Sequence, residues 1–207
     1  MPRLHINYQK KLDATIASLE GTPRLLLHAC CAPCSSYVLE YLAQYFAITL
    51  LFYNPNIDQR AEYQKRLDEL TRLVALQPHK NPVAFLPARY DPNEFSEIAR
   101  GYEAEPEGGA RCMRCYRLRM EETARAAAEG GFDFFTTTLS ISPHKNAEAL
   151  NRIGEHLSKM YSVPYLYADF KKRGGYQRSI VLSREYNLYR QNFCGCRYSS
   201  GTTSILG

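Results

Sequence analysis

Five short apolar runs, spaced by stretches of helical periodicity, restrict this chain to few folds. RLLLHA (24–29), AITLLFY (47–53), PVAFLP (82–87) and FDFFTTTL (132–139) have strand length, and PYLYADF (164–170) supplies a fifth. Between the first two, SSYVLEYLAQYF (35–46) keeps helical spacing. After the NPN turn, with Asp58 as N-cap, Tyr63, Leu67, Leu70 and Val74 mark one buried helix face. That helix is predicted to stop at Gln77-Pro78, because proline disfavours helix in the residue before it. DPNEFSEIA (91–99) reads as a short helix, with Pro92 near its start. Residues 111–129 read as a long helix closed by Gly130-Gly131, and 144–160 as another with Ala147, Leu150, Gly154 and Leu157 on one side. A basic helix follows over 175–190. Strands alternating with helices argue for a three-layer α/β/α fold with a mainly parallel sheet of about five strands, Rossmann-like (HUP-like). Ligands in such sheets sit beyond the carboxyl ends of the strands, where Cys30 and Thr136 to Leu139 fall.

The 207 residues are 45% hydrophobic, enough for one domain over 1–207 with a core at about 22–170 and a basic segment at 171–207. No repeat, linker or low-complexity tract interrupts it, and no apolar run approaches a bilayer span. Residues 1–21 read as an amphipathic lead-in helix without the apolar centre of a signal peptide. A cytoplasmic protein with no membrane partner is therefore expected. The formal charge of +5 is unevenly placed: from Lys171 onward the net is +6, leaving −1 for the rest. Lys171, Lys172, Arg173 and Arg178 are the candidate contacts for a polyanion, with nucleic acid first among them. The alternative is a solvated helix face.

All seven cysteines fall in three knots: Cys30, Cys31 and Cys34; Cys112 and Cys115; Cys194 and Cys196. Cytosolic thiols stay reduced, so clustering points to metal or redox chemistry. CAPC (31–34), between a strand and a helix, admits a thioredoxin-like exchange centre, since a helix N-terminus favours thiolate. RCMRC (111–115) projects two sulfurs from adjacent turns, and two cysteines from each of the first two knots give a four-thiolate site. Adjacent Cys30 and Cys31 should diverge, which suits a [4Fe–4S] cluster better than a tetrahedral zinc. Arg111, Arg114 and Arg117 stand ready to offset the charge, or simply form a solvated face. In FCGC a Cys194–Cys196 bridge would be strained and easily reduced, as a two-electron relay requires. A metal-ligand role for that pair stays open. His144 and Lys145 either meet phosphate or cap the next helix, and Asp169 is a turn residue or supplies a ligand or a proton. Phosphate-cradling glycine motifs are absent.

HACCAPCSS, FYNPNI, EPEGGARCMRCYRLRM, FTTTLSISPHKN, YADF and LYRQNFCGCRYS together resemble the epoxyqueuosine reductases of the QueH type, from about Leu25 to Ser199. The resemblance implies reduction of the epoxide of epoxyqueuosine, at the tRNA wobble base, to queuosine. It implies a [4Fe–4S] cluster on Cys30, Cys31, Cys112 and Cys115, and a redox-active disulfide at Cys194 and Cys196. It implies, too, that cobalamin is not used. A second metal beside the cluster, taken as iron, is implied too, with Cys34 standing where some relatives carry a different ligand type. The partners implied are tRNA and an electron donor. Tyr186, Tyr189 or Phe193 would stack on splayed bases, although the tyrosines are also spaced as helix-packing residues. Without the resemblance, a zinc-stabilised tRNA-binding module remains the rival reading.

Overall fold

The computed structural model describes residues 6–199. Four parallel strands, β1 (Arg24–His28), β2 (Ala47–Leu51), β3 (Val83–Leu86) and β4 (Phe134–Thr137), lie in the order β3-β2-β1-β4. Helices α1 (Tyr8–Ala17), α2 (Ala32–Leu42), α3 (Arg60–Leu76), α4 (Pro92–Ala99), α5 (Ala110–Glu129), α6 (Ala147–Tyr161) and α7 (Gly175–Glu185) cover the sheet. Strand side chains alternate between two cores. Leu25, Leu27, Ile48 and Leu50 pack with α1, α2 and α3, whereas Leu26, Leu51 and Phe135 pack with α5 and α6. The expected three-layer α/β arrangement is the one observed. No described helix is long and apolar enough to cross a membrane.

The order of strands locates a switch point. The chain proceeds from β1 outward to β2 and β3, then returns to pair β4 with the other side of β1. A crevice opens beyond the carboxyl ends of β1 and β4, where such sheets hold ligands.

Three expectations need correction. The sheet has four strands rather than about five: 164–170 contributes one isolated bridge, Phe135 to Tyr165. Phe135 N–H donates to the Pro164 carbonyl and Leu166 N–H to the Phe135 carbonyl, and there the ladder stops. Asn151 of α6 captures the next backbone groups instead, accepting from Ala168 N–H at 3.0 Å and donating to its carbonyl at 2.8 Å. Asp58 is not the α3 cap; Gln59 holds that position and the Asp58 carboxylate pairs with Arg197 at 2.7 Å. The basic helix ends at Glu185 rather than 190, because Asn187 turns left-handed (φ 48°) and sends Leu188 into the first core. The lead-in helix is α1, capped by the Asn7 side chain; its first five predicted residues lie outside the described range, as do 200–207 of the basic segment.

Two glycines permit close packing. Gly154 lets the Tyr165 ring lie directly on α6, where a Cβ would come within 2.5 Å of it. Gly175, the first residue of α7, leaves no room at all: a Cβ would sit 2.1 Å from the Phe170 carbonyl oxygen and 2.4 Å from the Tyr37 ring. Gly175→Ala is therefore expected to push α7 off α2 and lower stability by about 1–3 kcal/mol, the usual cost of overpacking. A urea midpoint equal to that of the unaltered protein would contradict this.

Candidate functional site

The crevice is built first from the ends of β1 and β4. His28 is fully buried; its Nε2–H donates to the Tyr53 carbonyl, so Nδ1 accepts from the Thr137 hydroxyl at 2.8 Å. Burial, helped by the nearby Arg119 guanidinium, pushes its pKa down to about 3, and it stays neutral. It thereby ties the strand ends together. Two residues on, Cys30 N–H donates to Thr138 Oγ1, and that hydroxyl lies 3.3 Å from Cys30 Sγ.

Cys31 is the N-cap of α2, with Pro33 in its first turn. The sulfurs of Cys30, Cys31 and Cys34 all lie within 4.8 Å of one another, a group able to hold a metal ion. Adjacent Cys30 and Cys31 do not diverge as expected: their Sγ atoms are 3.8 Å apart. The chain turns from strand end to helix within this pair, which swings both side chains to one side. Hydrogen bonds with Cys30 and Cys34 hold Cys31 well below the ordinary thiol range, and those with Cys30 and Cys31 raise Cys34 well above it.

The second knot opens α5. Gly108 adopts φ +85°, a region that suits glycine, and its N–H reaches Cys112 Sγ at 3.3 Å. Glu105 Oε2 accepts from Ala110 N–H, satisfying one of the helix's free donors. Cys115, one turn further, is buried, and burial pushes its thiol up to about 11. The third knot is anchored to α3. Arg66, paired with Glu62, donates to the Cys194 carbonyl at 3.0 Å, and the Gly195 carbonyl accepts from Asp58 N–H. Lys145 Nζ lies 3.7 Å from Cys194 Sγ and Asn56 Nδ2 lies 3.9 Å from it. A hydrogen bond from Cys196, then the Lys145 charge, holds Cys194 below the ordinary thiol range against the cost of burial; Cys196 is correspondingly raised.

Two adjoining cavities collect these groups. The larger, about 120 Å³, is lined by Cys30, Cys31, Cys34 and Cys194 and has room for several waters or a small ligand group. The smaller is lined by Cys112, Cys115, Cys194 and Cys196. Cys194, Asn56, Arg119 and Lys145 line both. The structure thus brings the three knots to one region, but groups Cys34 with Cys30 and Cys31, and Cys112 and Cys115 with the third knot.

Of the other predicted residues, Arg111 lines the smaller cavity, His144 and Phe193 the larger and Lys145 both, while the rest fall elsewhere. Arg114 stacks on Tyr102, Arg117 pairs with Glu121, and Arg111 spends Nη1 on the carbonyls of Tyr102, Glu103 and Glu105. Arg119 takes the position between the cavities. It lies four residues after Cys115 and seven after Cys112, so helical spacing alone places it on their face. Lys145 meets Cys194 and Glu107 rather than an open surface. In the basic segment, Lys171 pairs with Asp169, Arg173 with Asp13, and Arg178 with Glu40 and Glu185, while Lys172 is exposed. Phe193 lines the larger cavity beneath Arg66, whereas Tyr186 packs on the first core and Tyr189 under Lys65.

Comparison with known proteins agrees over nearly the whole length. A family model described as "Epoxyqueuosine reductase QueH" matches residues 25–202. The protein of that name from Streptococcus pyogenes serotype M1 is 45% identical over 99% of this chain and 82% of its own length. The one from Thermotoga maritima is 36% identical over 84% of this chain and 89% of its own. A solved structure, the U34-tRNA thiolase NcsA from Methanococcus maripaludis with its [4Fe-4S] cluster, is similar with a TM-score of 0.55 over 93% of this chain and 67% of that one. At 14% identity that likeness shows the shared fold alone. With the family model spanning the three cysteine knots and relatives matching across both cavities, the chain belongs to the epoxyqueuosine reductase QueH family.

Proposed function

We propose that this chain reduces the epoxide of epoxyqueuosine, at the wobble position of tRNA, to the alkene of queuosine. The observation that carries the reading is the convergence of all seven cysteines on two adjoining cavities at the sheet's switch point. The donor set suits a thiolate-held inorganic group. Cys30, Cys31, Cys112 and Cys115 would hold a [4Fe–4S] cluster, with Cys34 beside it for a second iron. The fit has an electrostatic side too: Arg119 is buried with an unpaired Nη2, and a cation so placed requires an anion. When bound, such a group supplies one-electron transfer and a Lewis acid for the departing oxygen.

The balance of the reaction assigns work to the chain's own residues. Removing the epoxide oxygen breaks two C–O bonds, takes two electrons and two protons, and releases water. Oxidation of Cys194 thiolate and Cys196 thiol to a disulfide supplies both electrons and the Cys196 proton, and the second proton comes from solvent. Lys145 and Asn56 hold Cys194 Sγ between the two cavities, while Cys196, buried and hydrogen-bonded to it, keeps its proton. An external electron donor then restores the dithiol. Phe193, which lines the larger cavity, would meet a splayed base. Lys171, Lys172, Arg173 and Arg178 would track phosphates, Arg173 and Arg178 exchanging largely solvent-accessible ion pairs worth only about 0–1 kcal/mol each. A tRNA substrate places the protein in the cytoplasm.

A second reading has one observation in its favour. Three sulfurs within 4.8 Å, two of them 3.8 Å apart, match the edge of a single tetrahedral ion, so zinc on the first knot would make a tRNA-binding module without chemistry. Incubating anaerobically purified protein with tRNA carrying epoxyqueuosine and a dithiol reductant separates the two. Queuosine is expected among the digested nucleosides. Persistent epoxyqueuosine, with one zinc per chain and salt-sensitive tRNA binding, would replace the first reading with the second.

A further inference from the structure

Arg119 is 2% exposed, and its hydrogen bonds leave it unfinished. Nη1 donates to Asn54 Oδ1 at 3.2 Å, Nε reaches the Cys115 carbonyl only at 3.5 Å, and Nη2 has no partner. Among the described residues Arg119 makes no ion pair with a carboxylate. The neighbouring cation, Lys145, lies 3.7 Å from Glu107, the one carboxylate among the described residues that lines either cavity. Lys145 takes that acid, and Arg119 is left without one. A guanidinium cannot shed its proton to escape this, so the missing negative charge has to come from the sulfurs or from what they hold. Arg119 alone among the arginines of α5 adjoins all three knots through both cavities.

We propose that Arg119 is a positioning residue that supplies the counter-charge for an anionic inorganic group held by the cysteine knots, and so sets that group's retention and reduction potential. The inference rests on the reading that the cysteines hold such a group. Net charge around a thiolate-ligated centre is one of the quantities that fix its potential, and removing a nearby positive charge makes electron uptake harder. Loss of an outer partner of this kind ordinarily weakens metal holding about 10-fold to 100-fold.

The test compares Arg119→Met and Arg119→Lys with the unaltered protein, all purified without oxygen, by iron content after a timed chelator challenge and by the midpoint potential of the visible absorbance. Arg119→Met is expected to fold, because an apolar residue of similar length removes an unpaired buried charge. It should lose iron about 10-fold faster and show a more negative potential. Arg119→Lys should restore both. A folded Arg119→Met protein with unchanged iron retention and potential overturns the proposal. If Arg119→Met does not fold, Arg119→Lys decides: unaltered iron and potential support the counter-charge, while loss of either, or failure to fold, overturns it in favour of a purely structural guanidinium. Absence of iron from the unaltered protein would instead sink the metal reading, before any variant is compared.

Discussion

Cys112→Ser is expected to leave a folded protein that has lost its iron and, with it, more than about 100-fold of its epoxyqueuosine reduction, since even outer partners of a metal cost up to that much. The physical reason lies in where Cys112 sits. It is half-buried in the first turn of α5, its sulfur held by Gly108 N–H, and it packs only at the margin of the second core. Replacing sulfur with oxygen there removes a soft ligand while leaving the helix and its Glu105 cap intact. Thiol–disulfide exchange confined to Cys31 and Cys34 would not respond to this change, because Cys112 lines the other cavity. Iron measured per chain, beside queuosine formed per hour, checks the prediction. Full activity in a Cys112→Ser protein would return CAPC to consideration as the working centre.

Cys194→Ser is expected to do the opposite to the metal. The protein should keep its iron and lose sustained turnover with an external dithiol by roughly 10³-fold or more, on the scale of removing one member of a catalytic unit. Cys194 is the sulfur common to both cavities and the one that Lys145 and Asn56 approach. Its low-lying ionisation, set first by the Cys196 hydrogen bond and then by Lys145, makes it the more nucleophilic of the pair at neutral pH. Cys196 lines only the smaller cavity and retains its proton. Sustained turnover by Cys194→Ser at the unaltered rate would remove the CxC pair from the electron route.

Most of the fold was legible because strand length and helical period are local signals. Every strand of the sheet, the Gly130 stop and the Pro92 start of α4 follow from neighbours in sequence. The fifth strand failed for a tertiary reason: Asn151, on a helix above, competes for the backbone groups that a ladder would use. Asp58 failed similarly, drawn away by Arg197, 139 residues along the chain. Within the site, the cysteines announced themselves by clustering, and Arg119 could have been found from its spacing to Cys115. What could not be read is the partition of sulfurs between two cavities, since it depends on how α2 and α5 approach the same crevice. Nor does spacing say that Lys171, Arg173 and Arg178 meet acids from α1, α2 and the loop before α7. A basic segment in sequence is partly neutral in space.

If three cysteine knots act as one redox centre on a tRNA-borne epoxide, the CxC pair gives up two electrons for each product formed. Reduced protein, freed of external reductant under nitrogen, should be mixed with one equivalent of epoxyqueuosine tRNA and quenched with an alkylating agent. Peptide mass spectrometry then counts the Cys194–Cys196 disulfide, while nucleoside analysis counts product. Queuosine and disulfide in equal amounts are predicted. Queuosine formed while Cys194 and Cys196 both remain alkylatable, or no queuosine at all, would contradict the claim.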